Sequence, residues 1–155
     1  MKRLFYTVAI LLCVLLTSKN GVAQNKPLSL GITSDIQMES PVYIYYGLQG
    51  KYDFNPKNAI QAQLGYSNNK IGFLGVDYVH KAFNIGKITN TFIGAGTSFE
   101  FLTSESTNYF TLNMQAGFEF NLGRYSPYLG YKPKFYVNTE SLDTSNFTLG
   151  LRYRL

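Results

Sequence analysis

Beyond residue 24 the apolar positions of this 155-residue chain recur with a period of two, and no helical stripe interrupts them. Side chains on a strand alternate sides, so each run predicts a strand with one apolar and one polar face. The clearest run sets Phe110, Leu112, Met114, Ala116, Phe118, Phe120 and Leu122 against Thr111, Asn113, Gln115, Gly117, Glu119 and Asn121. The last nine residues set Phe147, Leu149, Leu151, Tyr153 and Leu155 against Thr148, Gly150, Arg152 and Arg154. Six more runs, 28–35, 42–54, 59–67, 71–83, 88–101 and 126–138, bring the expected total to eight strands. Pro127 suits a strand start, whereas Pro133 removes a ladder donor and predicts a bulge or weak pairing.

The connections fall into two alternating sets. Asn55-Pro56-Lys57-Asn58, Asn84-Ile85-Gly86-Lys87 and Gly123-Arg124-Tyr125 carry the Gly, Pro and Asn of tight turns. Segments 35–41, 67–70, 102–107 and 139–145 are richer in Ser, Thr, Asn and acids. An even strand number places both termini on one side, together with the tight turns. Short periplasmic turns with longer outer loops are the pattern of a bacterial outer-membrane barrel. The fold class expected is therefore all-β: an eight-stranded antiparallel up-and-down transmembrane β-barrel over residues 24–155.

Residues 1–23 read as a cleaved signal peptide: Lys2 and Arg3, an apolar run from Val8 to Leu16, then Gly21-Val22-Ala23 before the cut. The run is shorter than the roughly 20 residues a spanning helix needs. Removal of the signal takes away the single cysteine, Cys13, and with it disulfides, a thiol nucleophile and thiolate metal sites. It also removes Lys2, Arg3 and Lys19, so the formal charge of +5 falls to +2, 11 cations against nine acids. That balance gives no support to nucleic-acid binding.

Alternation alone does not say whether the apolar face looks into a barrel or out of it. The minority face carries Lys51, Asp53, Asp77, Lys81, Glu100, Glu119, Lys132, Lys134, Arg152 and Arg154, mixed in sign and interleaved with glycines such as Gly47, Gly65, Gly117 and Gly150. Eight strands enclose an interior just wide enough for side chains to fill. A packed lumen of paired charges beside small neighbours suits that space, and leaves the apolar face to lipid. Tyr43, Tyr52, Tyr66, Tyr78, Tyr109, Tyr125, Tyr128 and Tyr153 lie near strand ends, where phenol rings sit at lipid headgroups. Lumen pairing is expected in two tiers. Lys51, Lys81, Arg152 and Arg154 go with Asp53 and Glu119, and Lys132 and Lys134 with Asp77 and Glu100.

The segments Thr91-Phe92-Ile93-Gly94-Ala95-Gly96, Ser126-Pro127-Tyr128-Leu129-Gly130-Tyr131 and Leu149-Gly150-Leu151-Arg152-Tyr153-Arg154-Leu155, with the signal ending Gly21-Val22-Ala23, resemble the OmpA/OmpX-like small outer-membrane barrels. The resemblance spans the whole mature chain. It implies an outer-membrane address in a diderm, Gram-negative cell envelope, and insertion by the barrel-assembly machinery, which reads the C-terminal strand. That strand usually ends in Phe or Trp; here Leu155 stands in that place. No peptidoglycan-binding domain is expected after it.

Candidate chemistry is sparse. His80, the one histidine, lies by strand parity on the outer face with Tyr78 and Ala82, near the periplasmic end. A His-x-Ser pair would share that face, but Ala82 fills the second place, and a nucleophile needs its base within hydrogen-bond reach. Asp35, Glu39, Glu105, Glu140 and Asp143 are expected in the outer loops, where solvation is the ordinary fate. No phosphate-binding loop, zinc spacing or calcium loop appears, and no cofactor is expected. The expected function is non-enzymatic: a porin-like, monomeric envelope barrel with a structural or surface-interaction role, meeting outer-membrane lipid, lipopolysaccharide and the assembly machinery. The alternatives are a soluble exported β-barrel binding an apolar ligand, a lipid-modifying barrel enzyme and a narrow channel.

Overall fold

Strict two-residue periodicity leaves each segment one way to satisfy its backbone, by pairing with the strand beside it, and the chain does so until the sheet meets itself. A computed structural model describes residues 27–39, 41–102 and 108–155; the expected signal at 1–23 and Glu105 lie outside the described residues. The strands are β1 (Leu28–Gln37), β2 (Tyr43–Asp53), β3 (Asn58–Ser67), β4 (Ile71–Ile85), β5 (Thr89–Leu102), β6 (Asn108–Phe120), β7 (Tyr125–Tyr131), β8 (Lys134–Tyr136), β9 (Ser141–Asp143) and β10 (Asn146–Arg154). Sequential neighbours pair antiparallel from β1 to β6, and β6 pairs with both β7 and β8. The barrel closes where β1 pairs with β10, from Ser29 opposite Arg154 to Gln37 opposite Asn146.

The ten strands make eight staves. The seventh is β7 followed by β8, with the break at Lys132-Pro133 where the ladder lacks a donor. Its register against β6 runs through the break unchanged, Ala116 opposite Tyr131 and Asn113 opposite Lys134. The bulge falls on the eighth stave instead. Tyr131 faces Phe147 and Lys134 faces Asp143, so four residues there span three on the seventh. Residues 141–143 of segment 139–145, expected as loop, are therefore strand β9.

Turn geometry follows local chemistry. Asn55 Oδ1 accepts from the backbone N–H of Lys57 and of Asn58, both at 2.9 Å, closing the β2–β3 turn. Gly86 and Gly123 hold φ of +70° and +67°, which a Cβ would strain. Leu155 N–H donates to Leu28 O at 3.0 Å and Arg154 N–H to Arg124 O at 2.8 Å, so the first and last strands meet at the tight-turn end.

The distribution of polarity is inverted relative to a water-soluble protein. Among the described residues 24 polar or charged side chains are buried against six hydrophobic ones, while Ile32, Leu48, Leu64, Leu74, Phe99 and Phe110 are exposed. Those six are successive cross-strand partners around the wall. Burial of polar groups inside and apolar groups outside fits a hydrocarbon solvent, not water.

Three of the aromatic side chains that lie inside fill spaces beside glycines. Phe73 lies where a Cβ on Gly65 would meet it at 2.6 Å, and one on Gly47 at 3.1 Å. Phe92 covers Gly117 and Gly130 in the same way, at 2.9 and 3.2 Å, and Tyr128 covers Gly150 at 2.6 Å. Tyr45 stands edge-on to Phe73 with centroids 5.6 Å apart. Tyr128, expected at the headgroup level, is buried in the lumen at 3% exposure. Tyr52, Tyr66, Tyr78 and Tyr125 do face outward.

Candidate functional site: the charged lumen

Strand parity sends the minority face of every stave inward, and eight staves bring those side chains within reach of one another. Toward the turn end, Arg152 of β10 is the hub. Its Nε donates to Gln49 Oε1 at 2.5 Å, Nη1 to Glu119 Oε2 at 2.7 Å and Nη2 to Gln61 Oε1 at 2.7 Å. The guanidinium lies 3.8 Å from the Tyr128 ring centroid, a cation–π contact in a dry setting. Lys51 Nζ meets the same Glu119 oxygen at 2.7 Å and Asp53 at 3.6 Å, and Lys81 meets Asp53 at 3.3 Å.

The tier above is built on Lys132 and Lys134, on either side of Pro133. Lys132 Nζ is 3.1 Å from Asp77 and 3.8 Å from Asp35; Lys134 Nζ is 2.7 Å from Glu100. The Tyr45 hydroxyl donates to Glu100 at 3.3 Å, and Lys134 lies 4.4 Å over the Tyr45 ring. Gln61 links the tiers, accepting from Arg152 and donating to Asp77 at 3.5 Å.

Asp35 is a correction to the reading from sequence. Expected in an outer loop, it is buried at 2% exposure because β1 runs on to Gln37 against β10. Its presence balances the charges. Lys51, Lys81 and Arg152 exceed Asp53 and Glu119 by one, while Asp35, Asp77 and Glu100 exceed Lys132 and Lys134 by one. Within these ion pairs five cations therefore face five acids, the condition under which buried ions are tolerated. Asp143 is likewise buried, capped by Ser145 N–H, Ser145 Oγ and Asn146 Nδ2. Arg154 reaches no acid among the described residues; its Nη2 donates to Asn121 at 3.4 Å.

Between the tiers and beyond them, Gln63 Oε1, both Asn113 amide atoms and Gln115 Nε2 are buried without a protein partner among the described residues. Groups of that kind are normally satisfied by water. Aromatic plugs at Phe73, Phe92 and Tyr128 share the same interior. Phe92 lies on the face opposite Ile93, and an apolar residue on the polar face carries no signal of its own until the glycine gaps across the barrel are known.

On the outer wall, His80 Nδ1 meets Asn58 Oδ1 at 2.7 Å, and the Tyr78 hydroxyl donates to the same oxygen at 2.6 Å. Among the described residues the ring's side-chain hydrogen bond is to Asn58, not to a serine or threonine hydroxyl. Among the same residues no group of three or more His, Cys, Asp or Glu is placed to hold a metal ion.

No protein-family model and no curated protein matches the sequence. Solved structures do resemble the fold. The N-terminal β-barrel domain of Pseudomonas aeruginosa OprF has a TM-score of 0.63 at 13% identity, covering 84% of this chain and 98% of that one. Neisserial surface protein A (NspA) gives 0.56 at 10% identity, covering 83% and 96%. A de novo designed transmembrane β-barrel gives 0.62 at 16% identity, covering 85% and 98%. The fold is thus a closed eight-stranded antiparallel barrel of the transmembrane type, similar to small outer-membrane barrels. The designed neighbour illustrates why the likeness stops at fold: alternation and closure suffice to produce this architecture whatever the task.

Proposed function

We propose that the chain is a non-enzymatic integral barrel of a bacterial outer membrane, with residues 1–23 removed as an export signal and 24–155 forming the barrel. Its role is structural or surface-interactive. The observation that carries this reading is the inversion of polarity: a lumen of five paired cations and acids inside a wall of exposed Leu, Ile, Phe and Tyr. A soluble barrel holding an apolar ligand needs an apolar interior, and this interior is charged and filled. The barrel works as a monomer, inserted by the assembly machinery through its C-terminal strand, and meets lipid and lipopolysaccharide with its wall and short loops.

Residues 24–155 refolded in detergent should migrate differently on a gel before and after boiling, and should float with lipid vesicles. A chain that is monomeric in plain buffer and shows no heat-dependent mobility would establish the soluble barrel instead. The polar atoms at Gln63, Asn113 and Gln115 favour one second reading, a narrow water-filled path. Two ion-pair tiers and three aromatic plugs stand across it, so planar bilayers holding folded protein should show no conductance steps. Discrete steps would make the chain a channel.

A further inference from the structure

The outer wall is uneven at one place. Tyr78, Ala95 and Met114 are cross-strand partners in one row, and His80, Ile93, Ala116 and Tyr131 in the next. Each row thus has an alanine between larger neighbours, and the two alanines lie diagonally across β5 and β6. Pro133 adds a break in the adjoining stave. The result is an open apolar trough of about 530 Å³. A second hollow of about 430 Å³ shares Ala95, Met114 and Pro133 with it and continues along the wall to Leu112, Phe135 and Leu142. From the row of Ala116 to that of Leu112 is four residues, about 13 Å of strand.

Its lower end is polar and sits at the tight-turn rim. There Asn58 accepts from Tyr78 and bonds His80 Nδ1, leaving His80 Nε2 without a protein partner among the described residues. Exposed Lys57 is adjacent to Asn58, and its carbonyl accepts from Lys81 N–H at 2.7 Å. The three tight turns at this rim carry Lys57, Lys87 and Arg124 and no acid, whereas the described loops at the other rim carry Glu39 and Glu140 beside Lys70. A long apolar trough that ends in hydrogen-bonding groups and a cation, on a wall facing lipid, has the chemistry of one amphiphile with an anionic head.

We propose that this trough seats one acyl chain of an anionic glycerophospholipid from the leaflet at the turn end, with its phosphate held beside Lys57 and His80. The proposal rests on the membrane reading above. Ala95 and Ala116 set the depth of the seat, and Lys57 sets the preference for negative charge.

The test is native mass spectrometry of residues 24–155, refolded in vesicles of equal dioleoyl-phosphatidylglycerol and dioleoyl-phosphatidylcholine and then released into detergent. One retained phosphatidylglycerol per barrel is expected. Lys57→Ala should lower its preference over phosphatidylcholine about fivefold, the effect of one cation near an anionic leaflet. Ala95→Leu with Ala116→Leu exchanges apolar for larger apolar on the lipid side, so the heat-dependent gel shift should persist while the retained lipid is lost. Equal retention of the two lipids by the unaltered chain overturns the proposal. So does a phosphatidylglycerol adduct that survives in the leucine variant. Failure to insert into vesicles at all refutes the membrane reading instead, so the two failures are distinct.

Discussion

Arg152→Met should destabilise the folded barrel by about 3–5 kcal/mol, the cost of removing one partner from a buried ion pair. Methionine preserves much of the apolar stem, so the loss is chiefly of charge and hydrogen bonding. The guanidinium is the only described group that touches Gln49, Gln61 and Glu119 together, at 2.5, 2.7 and 2.7 Å. Without it, Gln49 and Gln61 lose buried donors, and Glu119 depends on Lys51 alone. The ion-paired groups are then left as four cations and five acids. Urea titration of vesicle-refolded protein gives the free energy directly. The double variant Arg152→Met, Glu119→Gln should lose less than the sum of the two single changes, because each removes the partner the other leaves behind. A loss under about 0.5 kcal/mol for Arg152→Met, the range of an ordinary surface change, would show that the lower tier does not hold the barrel together.

The second large effect belongs to the opposite face. Leu48→Arg should cost about 2–4 kcal/mol in a bilayer, because a cation on the lipid side at mid-depth must leave water. Leu48 is central in β2, 62% exposed, and flanked by Ile32 on β1 and Leu64 on β3. On a protein dissolved in water, such an exposed leucine could become arginine within about ±0.5 kcal/mol. The two environments therefore predict different magnitudes for one substitution. Asn69→Arg, in the turn between β3 and β4, provides the control and should be near neutral. Equal, small effects at Leu48 and Asn69 would place the apolar wall in water.

Strand parity was legible from sequence because the period of two is nearly unbroken. It put Lys132 and Lys134 inside despite Pro133, and the terminal arginines opposite Leu149 and Leu151. Three features were not legible, each for a physical reason. Asp35 sits among loop-like residues, and pairing with β2 on one side and β10 on the other carries β1 on to Gln37 and buries it. Phe73, Phe92 and Tyr128 are inside because glycines on neighbouring staves leave room, a property of cross-barrel stagger that no single strand contains. Tyr128 shows the ambiguity well: a phenol near a strand end suits a headgroup layer, yet its parity against Leu129 sends it under Arg152. The one-residue slip opposite Pro133 also went to the partner stave, since the seventh keeps its register with β6. Which lysine meets which acid follows from that stagger.

The central claim is that the exposed apolar wall faces hydrocarbon. With Cys13 lying in the expected signal, residues 24–155 contain no cysteine, so a single nitroxide can be placed by Leu48→Cys, or by Asn69→Cys for comparison. In vesicle-reconstituted protein, the label at position 48 should be relaxed strongly by dissolved oxygen and hardly at all by a water-soluble nickel chelate, with the reverse at position 69. A label at position 48 that the nickel reagent reaches as readily as the one at 69 would contradict the membrane barrel.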